Sequence, residues 1–160
     1  IAPGLFSDGD ITERQSTAIE YLTNFGGLSA NIAKGIISGN LTTESNLEHL
    51  RDTGVNERAT GFAQWRDARR VGLEQFAGKE FSDYFTKNVG NQTFGYFKDG
   101  PGALVQLEYL LRELNGTSEV KDANMIKLGR LYAENPNMSA GEAAELFTMY
   151  FEGLNEEEDS

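Results

Sequence analysis

The feature that most constrains this chain is a helical period in its apolar residues, which recur every three or four positions through most of the sequence. The first stripe consists of Ile11, Ala18, Ile19, Leu22 and Phe25 and stops at Gly26-Gly27. Such spacing places apolar side chains on one face of an α-helix, and Asp10 with Glu13 has the spacing of a capping box at its start. The sequence therefore predicts an all-α domain of six or seven helices.

Local start and stop signals locate the other helices. The second is expected from Ser29 or Asn31 to about Ser45, with Gly35 and Gly39 four residues apart, which permits close approach of a neighbouring helix. The remaining helices are expected at Arg66 to Phe76, Glu80 to Asn88, Pro101 to Leu114, Asp122 to Glu134, and from Ser139 onward. Ser139 with Glu142 has the spacing of a capping box at the start of the last helix.

The stretch from Glu48 to Gln64 lacks helical spacing. It contains Asp52-Thr53-Gly54 and Thr60-Gly61, which are both turn signals. A loop or a minor β-hairpin is expected there.

Length and composition favour one domain. With 160 residues, 39% of them hydrophobic, residues 1–154 suit a single globular unit, and residues 155–160 an acidic tail or linker to the rest of a longer protein. A processed piece is expected because the chain begins with Ile1. No apolar run approaches the roughly 18 residues that a membrane span needs, so membrane insertion is not expected.

Charge and residue types exclude several kinds of site. The formal net charge of −11 repels phosphate backbones, so nucleic acid is not an expected partner. The absence of Cys excludes disulfides and thiolate zinc sites, and a single histidine, His49, excludes a histidine cluster. Asp8-Gly9-Asp10 lacks the remaining ligands of a calcium loop. No metal and no cofactor are expected.

A small basic cluster is formed by Arg66, Arg69 and Arg70. Its simplest interpretation is a solvated helix face, or ion-pair partners for Asp67 and Glu74.

Glu44 is the residue with the most suggestive position. At about 100° per residue, Ile37, Leu41 and Glu44 fall within about 40° of one another, so the carboxyl group shares the apolar face of the second helix. Burial among apolar groups raises the pKa of a glutamic acid and keeps its proton available to a glycosidic oxygen. The alternative is a Glu44 in water at a frayed helix end, or capping a backbone amide.

Two segments carry a family resemblance. Gly39-Asn40-Leu41-Thr42-Thr43-Glu44-Ser45-Asn46-Leu47, and then Gly61-Phe62-Ala63-Gln64-Trp65 with Arg70, resemble the phage tail lysozyme family and, more loosely, goose-type lysozymes and lytic transglycosylases. The likeness is clearest over Gly35 to Phe76. It is weaker in Ala143 to Glu152, which is similar to the closing helix of the family.

The resemblance implies a lysozyme-like fold and a set of site residues. Glu44 would be the general acid, and Ser45 would hold the helix end and the wall beside the substrate. Gly61 would let the backbone pass close to a sugar, and Phe62 would pack at the cleft. Gln64 would contact the N-acetyl sugars.

Two aromatic residues have two interpretations each. The resemblance implies that Trp65, the only Trp, contacts the sugars, but Trp65 also suits a core position. Tyr150 is expected either at the cleft or in the core beside Phe147.

The identity of a second catalytic group stays open. Asp52 and Glu57 lie between the two segments and are candidates for a second carboxylate. Lytic transglycosylases with a single glutamate need none, because the 6-hydroxyl of the substrate closes an anhydro ring. Hydrolysis and intramolecular transfer are therefore both compatible with the sequence.

The expected function is cleavage of the MurNAc–GlcNAc β-1,4 linkage of peptidoglycan. The resemblance implies a place on a phage virion tail, contact with other tail proteins or domains, and action on the bacterial wall or in the periplasm. The alternatives are a lytic transglycosylase, a non-catalytic lysozyme-like module that binds glycan or builds the tail, and a helical adaptor for partner proteins.

Overall fold

A computed structural model describes residues 11–42, 59–60, 63, 65–77, 85–86, 96–97 and 101–151. The helices are α1 (Ile11–Asn24), α2 (Ala30–Ile36) with a π-helical segment (Ile37–Leu41) directly after it, α3 (Asp67–Ala77), α4 (Pro101–Asn115), α5 (Ala123–Glu134) and α6 (Ala140–Phe151). Four strands of two residues each are β1 (Ala59–Thr60), β2 (Trp65–Arg66), β3 (Phe85–Thr86) and β4 (Tyr96–Phe97). The prediction of an all-α fold is confirmed.

Helix starts and ends follow the local signals in the sequence. The hydroxyl of Ser29 accepts a hydrogen bond from the backbone N–H of Ile32, and the carboxylate of Asp122 accepts one from Met125. The hydroxyl of Ser139 accepts from the N–H of Glu142 at 3.1 Å, which confirms the predicted capping of α6. These side chains satisfy N–H groups that have no partner within the helix.

Glycine ends two of the helices. Gly27 has a φ of 72° after α1, and Gly116 has a φ of 74° after α4. Both values lie in the left-handed region that favours glycine, and the turn after α4 is closed by a bond from Thr117 N–H to the carbonyl of Arg112 at 2.9 Å. The predicted ends of these two helices are therefore confirmed.

The contact between α2 and α6 lies at the centre of the fold. A Cβ atom on Gly35 would lie 2.9 Å from the Cβ of Ala143, and one on Gly39 would lie 2.7 Å from the Cβ of Ala144. The predicted close approach at these glycines is confirmed. On the same helix, the apolar residues Ile32, Ile36, Ile37 and Leu41 are at most 1% exposed.

The structure describes a hairpin in the region expected to hold one. β1 pairs antiparallel with β2, and Thr60 faces Trp65 in the register. The pairing extends past Gln64 to Arg66, so α3 begins at Asp67, one residue later than predicted.

The helix predicted over Glu80 to Asn88 is wrong at two positions. Phe85 and Thr86 form β3, which pairs antiparallel with Tyr96 and Phe97 of β4. Aromatic and β-branched residue types are common in strands, and the pairing of these two strands overrides the local helical spacing. The other residues of that predicted helix lie outside the described part of the chain.

Within the described ranges, no helix is both long enough and apolar enough to cross a membrane.

Candidate functional site

The first described range ends at Thr42, two residues before the predicted general acid. Glu44 and Ser45 lie outside the described residues, as do the candidate second carboxylates Asp52 and Glu57. Glu44 as general acid therefore stays a prediction. What the structure does describe is the π-helical segment from which the chain continues to Glu44.

This π-helical segment is held from two sides. The hydroxyl of Thr42 donates to the carbonyl of Ile37 at 2.8 Å, and it accepts from the side-chain amide of Gln15 on α1 at 3.1 Å. Short π-helical segments within α-helices occur frequently at functional sites. Thr42 is thus fixed against α1 at the last described position before Glu44.

Asn40 attaches the same segment to α6. Its amide nitrogen donates to the carbonyls of Ala144 at 3.0 Å and Gly35 at 3.3 Å, and its amide oxygen accepts from the hydroxyl of Thr148 at 2.7 Å. Asn40 is only 9% exposed, so these bonds are shielded from water. The segment therefore has one fixed position relative to α1 and α6.

The second predicted segment lies on the hairpin. Gly61, Phe62 and Gln64 lie outside the described residues, so their predicted contacts with sugars stay predictions. Ala63 is 4% exposed and Trp65 is 1% exposed. The hairpin is thus anchored in the core by the described residues on either side of Gln64.

Trp65 occupies the core position that the sequence left open. Its ring makes edge-on contacts with Tyr109 and Phe151, at centroid distances of 6.2 Å and 6.3 Å. Its indole N–H donates to the carboxylate of Glu113 at 3.0 Å. These contacts are those of a packed residue, and they leave the indole little surface for a sugar.

Glu113 is a buried carboxylate that the sequence reasoning missed. It is 0% exposed, and besides Trp65 it accepts two hydrogen bonds from the guanidinium of Arg69, at 2.8 Å and 3.0 Å. A sequence signal was available, because Glu113 lies three residues after Leu110 and four after Tyr109, the spacings that place side chains on one face of a helix.

Arg69 links this carboxylate to the end of α6. Its Nη1 donates to the carbonyl of Phe151 at 2.8 Å, and its guanidinium carbon lies 3.7 Å from the centre of the Phe151 ring. A cation at a helix C-terminus is electrostatically favourable. The solvated-surface interpretation is therefore wrong for Arg69, whereas the predicted ion pair of Arg70 with Glu74 is confirmed at 3.4 Å.

Tyr150 also takes the core alternative. It is 9% exposed on the buried face of α6 that also contains Phe147. The nitrogen of Lys127 lies 5.7 Å from its ring centre. A contact of Tyr150 with substrate stays a prediction.

Two buried tyrosines have perturbed ionisation. Burial, and then the charge of Glu113, raise the pKa of Tyr109 to about 12. Burial alone raises the pKa of Tyr132, whose hydroxyl donates to the carbonyl of Ala143 at 2.7 Å. Both hydroxyls therefore stay neutral at physiological pH.

Two surface clefts lie in other parts of the described structure. One of about 290 Å³ lies between the α1–α2 turn, α4 and α5, and another of about 480 Å³ lies beside the α5–α6 turn. Neither is lined by a predicted site residue. No group of three metal-ligating side chains occurs among the residues that the structure describes.

Comparison with known proteins identifies the family. The model of the phage tail lysozyme family matches residues 13–160, which includes both segments on which the resemblance rests. No curated protein and no solved structure gave a match. The chain thus belongs to the phage tail lysozyme family, which indicates a lysozyme-like module that acts on peptidoglycan.

Proposed function

We propose that this chain cleaves the β-1,4 linkage between N-acetylmuramic acid and N-acetylglucosamine in peptidoglycan, with Glu44 as the general acid. The observation that carries the proposal is the family match over residues 13–160, which contains Glu44 and the segment from Gly61 to Trp65. The anchoring of the π-helical segment supports it. A general acid must be held within hydrogen-bond reach of the oxygen that it protonates.

Cleavage needs a group that donates a proton to the glycosidic oxygen and a nucleophile that attacks the positively charged sugar ring. In this proposal Glu44 protonates the glycosidic oxygen as the bond breaks, and positive charge develops on the sugar ring. Asp52 or Glu57 then activates a water molecule that attacks the anomeric carbon, or the 6-hydroxyl of the substrate attacks that carbon instead. Gly61, Phe62 and Gln64 bind the N-acetyl sugars, and Ser45 supports the end of the helix.

The proposed place of action is the tip of a phage tail. The family name associates the module with tails, and a tail that crosses a bacterial wall has to open its glycan strands. Other tail proteins or domains are the proposed partners of the chain.

Loss of turbidity of purified peptidoglycan tests the proposal. The wild-type chain should clear the suspension, and Glu44→Gln should lose about 10² to 10⁴ in rate, because general acid catalysis contributes a factor of that size. Glu20→Gln removes an equal charge from the exposed face of α1 and should behave as wild type. Equal clearing by wild type and Glu44→Gln would refute Glu44 as the acid.

The same experiment separates the second candidate, a non-catalytic module that binds glycan. The net charge of −11 favours this candidate, because bacterial walls are largely anionic and attract basic hydrolases. Binding to peptidoglycan without clearing would support it.

Mass spectrometry of the released fragments distinguishes the two reactions. Reducing ends indicate hydrolysis, and anhydro ends indicate intramolecular transfer. Hydrolysis should be lost in either Asp52→Asn or Glu57→Gln, whichever removes the second carboxylate.

A further inference from the structure

We propose that Glu113 is a positioning residue for the glycan site, because its carboxylate fixes the β1–β2 hairpin relative to the helices. This inference rests on the proposed function and deepens it. It assigns a role in substrate binding to a residue that lies in the core and touches no substrate.

The geometry gives the carboxylate three directed bonds. Oε1 accepts from the indole N–H of Trp65 at 3.0 Å and from Nη2 of Arg69 at 3.0 Å, and Oε2 accepts from Nε of Arg69 at 2.8 Å. Trp65 belongs to β2, Arg69 to α3 and Glu113 to α4. One buried side chain therefore joins a strand and two helices.

A stabilising role alone explains this arrangement poorly. Taking two charges out of water is unfavourable, and well-packed apolar side chains of similar volume are often as stabilising as a buried ion pair. Apolar contacts are non-directional, so they do not fix the orientation of a neighbouring side chain as hydrogen bonds do. Charge-assisted bonds with fixed angles hold Trp65 in one orientation, and the segment 61–64 is connected directly to Trp65.

The network also reaches the element that holds the other half of the site. Arg69 donates to the carbonyl of Phe151 at the end of α6, and α6 holds Asn40 through Ala144 and Thr148. The hairpin and the π-helical segment that precedes Glu44 are thus both bonded to α6. A shift of the hairpin changes its distance from that segment.

Glu113→Gln, with Glu108→Gln as its matched control, tests the proposal in the complete chain. Glu108 lies on the same helix and is exposed, so the control removes an equal charge without touching the network. The substrate is solubilised, uncross-linked peptidoglycan glycan strands, at a temperature where all variants are folded. Trp65 is the only Trp, so its fluorescence reports directly on the bond to Glu113.

The expected result for Glu113→Gln is a loss in kcat/KM of up to about 100-fold, the size that a misplacement of about 1 Å can cause, and we expect it to come mainly from a rise in KM. The value of kcat should change much less, and the Trp65 emission should shift. A loss of stability alone would instead lower the active fraction, and with it the apparent kcat, at constant KM. Glu108→Gln should match wild type in all three readouts.

Trp65→Phe tests the positioning role if Glu113→Gln fails to fold. It keeps an aromatic ring in the core but removes the N–H donor, and it should raise KM at least several-fold. Unchanged KM in the folded variants, beside an active wild type, would overturn the inference alone. A wild type that cleaves no glycan would overturn the proposed function and this inference together.

One further outcome would contradict the inference. Glycan strands added to Glu44→Gln should leave the Trp65 emission nearly unchanged, since the indole is 1% exposed. A large change would place the indole against the sugar itself, as a binding residue rather than a residue that orients the hairpin.

Discussion

The hydroxyl of Thr148 donates a hydrogen bond to the side-chain oxygen of Asn40 at 2.7 Å, which connects α6 to the π-helical segment 108 residues earlier in the chain. Asn40 returns two bonds to the carbonyls of Ala144 and Gly35. The position of the π-helical segment that precedes Glu44 thus depends on a polar contact with α6 as well as on apolar packing.

Asn40→Ala should therefore reduce both stability and activity. It removes the bonds of Asn40 to the carbonyls of Ala144 and Gly35 and to the hydroxyl of Thr148, which keeps the carbonyl of Ala144 as an acceptor at 3.2 Å. Each lost bond contributes about 0.5–1.5 kcal/mol to stability. Urea unfolding and peptidoglycan clearing measure the two effects. Asn135→Ala, at an exposed residue, should change stability by about 0.5 kcal/mol or less, and an equal loss in both variants would contradict the role of the buried contact.

Gly35→Ala should destabilise the protein through a clash with α6. The added methyl would lie 2.9 Å from the Cβ of Ala143, and the backbone of α6 leaves no free space beside it, so a loss of about 1–3 kcal/mol is expected. Gly141→Ala meets only the hydroxyl of Ser139 at 3.9 Å and should be neutral or slightly stabilising. Thermal unfolding of the pair checks this prediction. Equal melting temperatures would show that α2 and α6 are not closely packed at Gly35.

Arg69→Lys should be far more damaging than Arg130→Lys. A lysine keeps a positive charge near Glu113, but it has no planar fork for the carboxylate and loses the bond to the carbonyl of Phe151, so a loss of stability of about 1–3 kcal/mol is expected. Arg130 is exposed on α5, so the same change there should cost about 0.5 kcal/mol or less. Denaturant midpoints of the two variants decide the question, and similar values would argue against a tightly held Arg69.

Stability should fall at alkaline pH through the buried tyrosines. The pKa of Tyr109 rises to about 12 from an ordinary value near 10, and that of Tyr132 also rises. A raised pKa in the folded state means that the neutral form is preferred there. The contribution is complete below pH 10 and is lost as the pH rises through the folded-state pKa.

Tyr109→Phe measures this linkage. Its unfolding free energy should decline less steeply above pH 10 than that of wild type, because one of the buried hydroxyls no longer ionises. Absorbance titration of the tyrosinates should show a late-ionising group missing in the variant. An identical alkaline decline in both proteins would mean that Tyr109 ionises normally in the fold.

Several features of the fold could be predicted because their causes are local. Ser29, Asp122 and Ser139 cap N–H groups only three residues away, and Gly27 and Gly116 end helices by their own conformations. The pairing of β3 with β4 was missed because the period of apolar residues within one segment does not show which other segment it pairs with.

For the candidate site, the sequence predicted the two segments but left the environment of Trp65 open. The segments around Glu44 and Gly61 to Trp65 were recognisable as a pattern, and the family match confirms the resemblance. Whether Trp65 faces a sugar or the core was open, because a Trp suits either environment. Its partner Glu113 lies 48 residues away.

The sequence by itself determined that this chain forms an all-α phage tail lysozyme domain, since helical periodicity, caps and the paired segments act over short stretches. Only the tertiary structure decided that Trp65 and Arg69 meet a buried carboxylate, and that Asn40 is held by α6. The physical reason is that a buried polar side chain needs a partner in three dimensions, and nothing in its sequence neighbours says which helix supplies it.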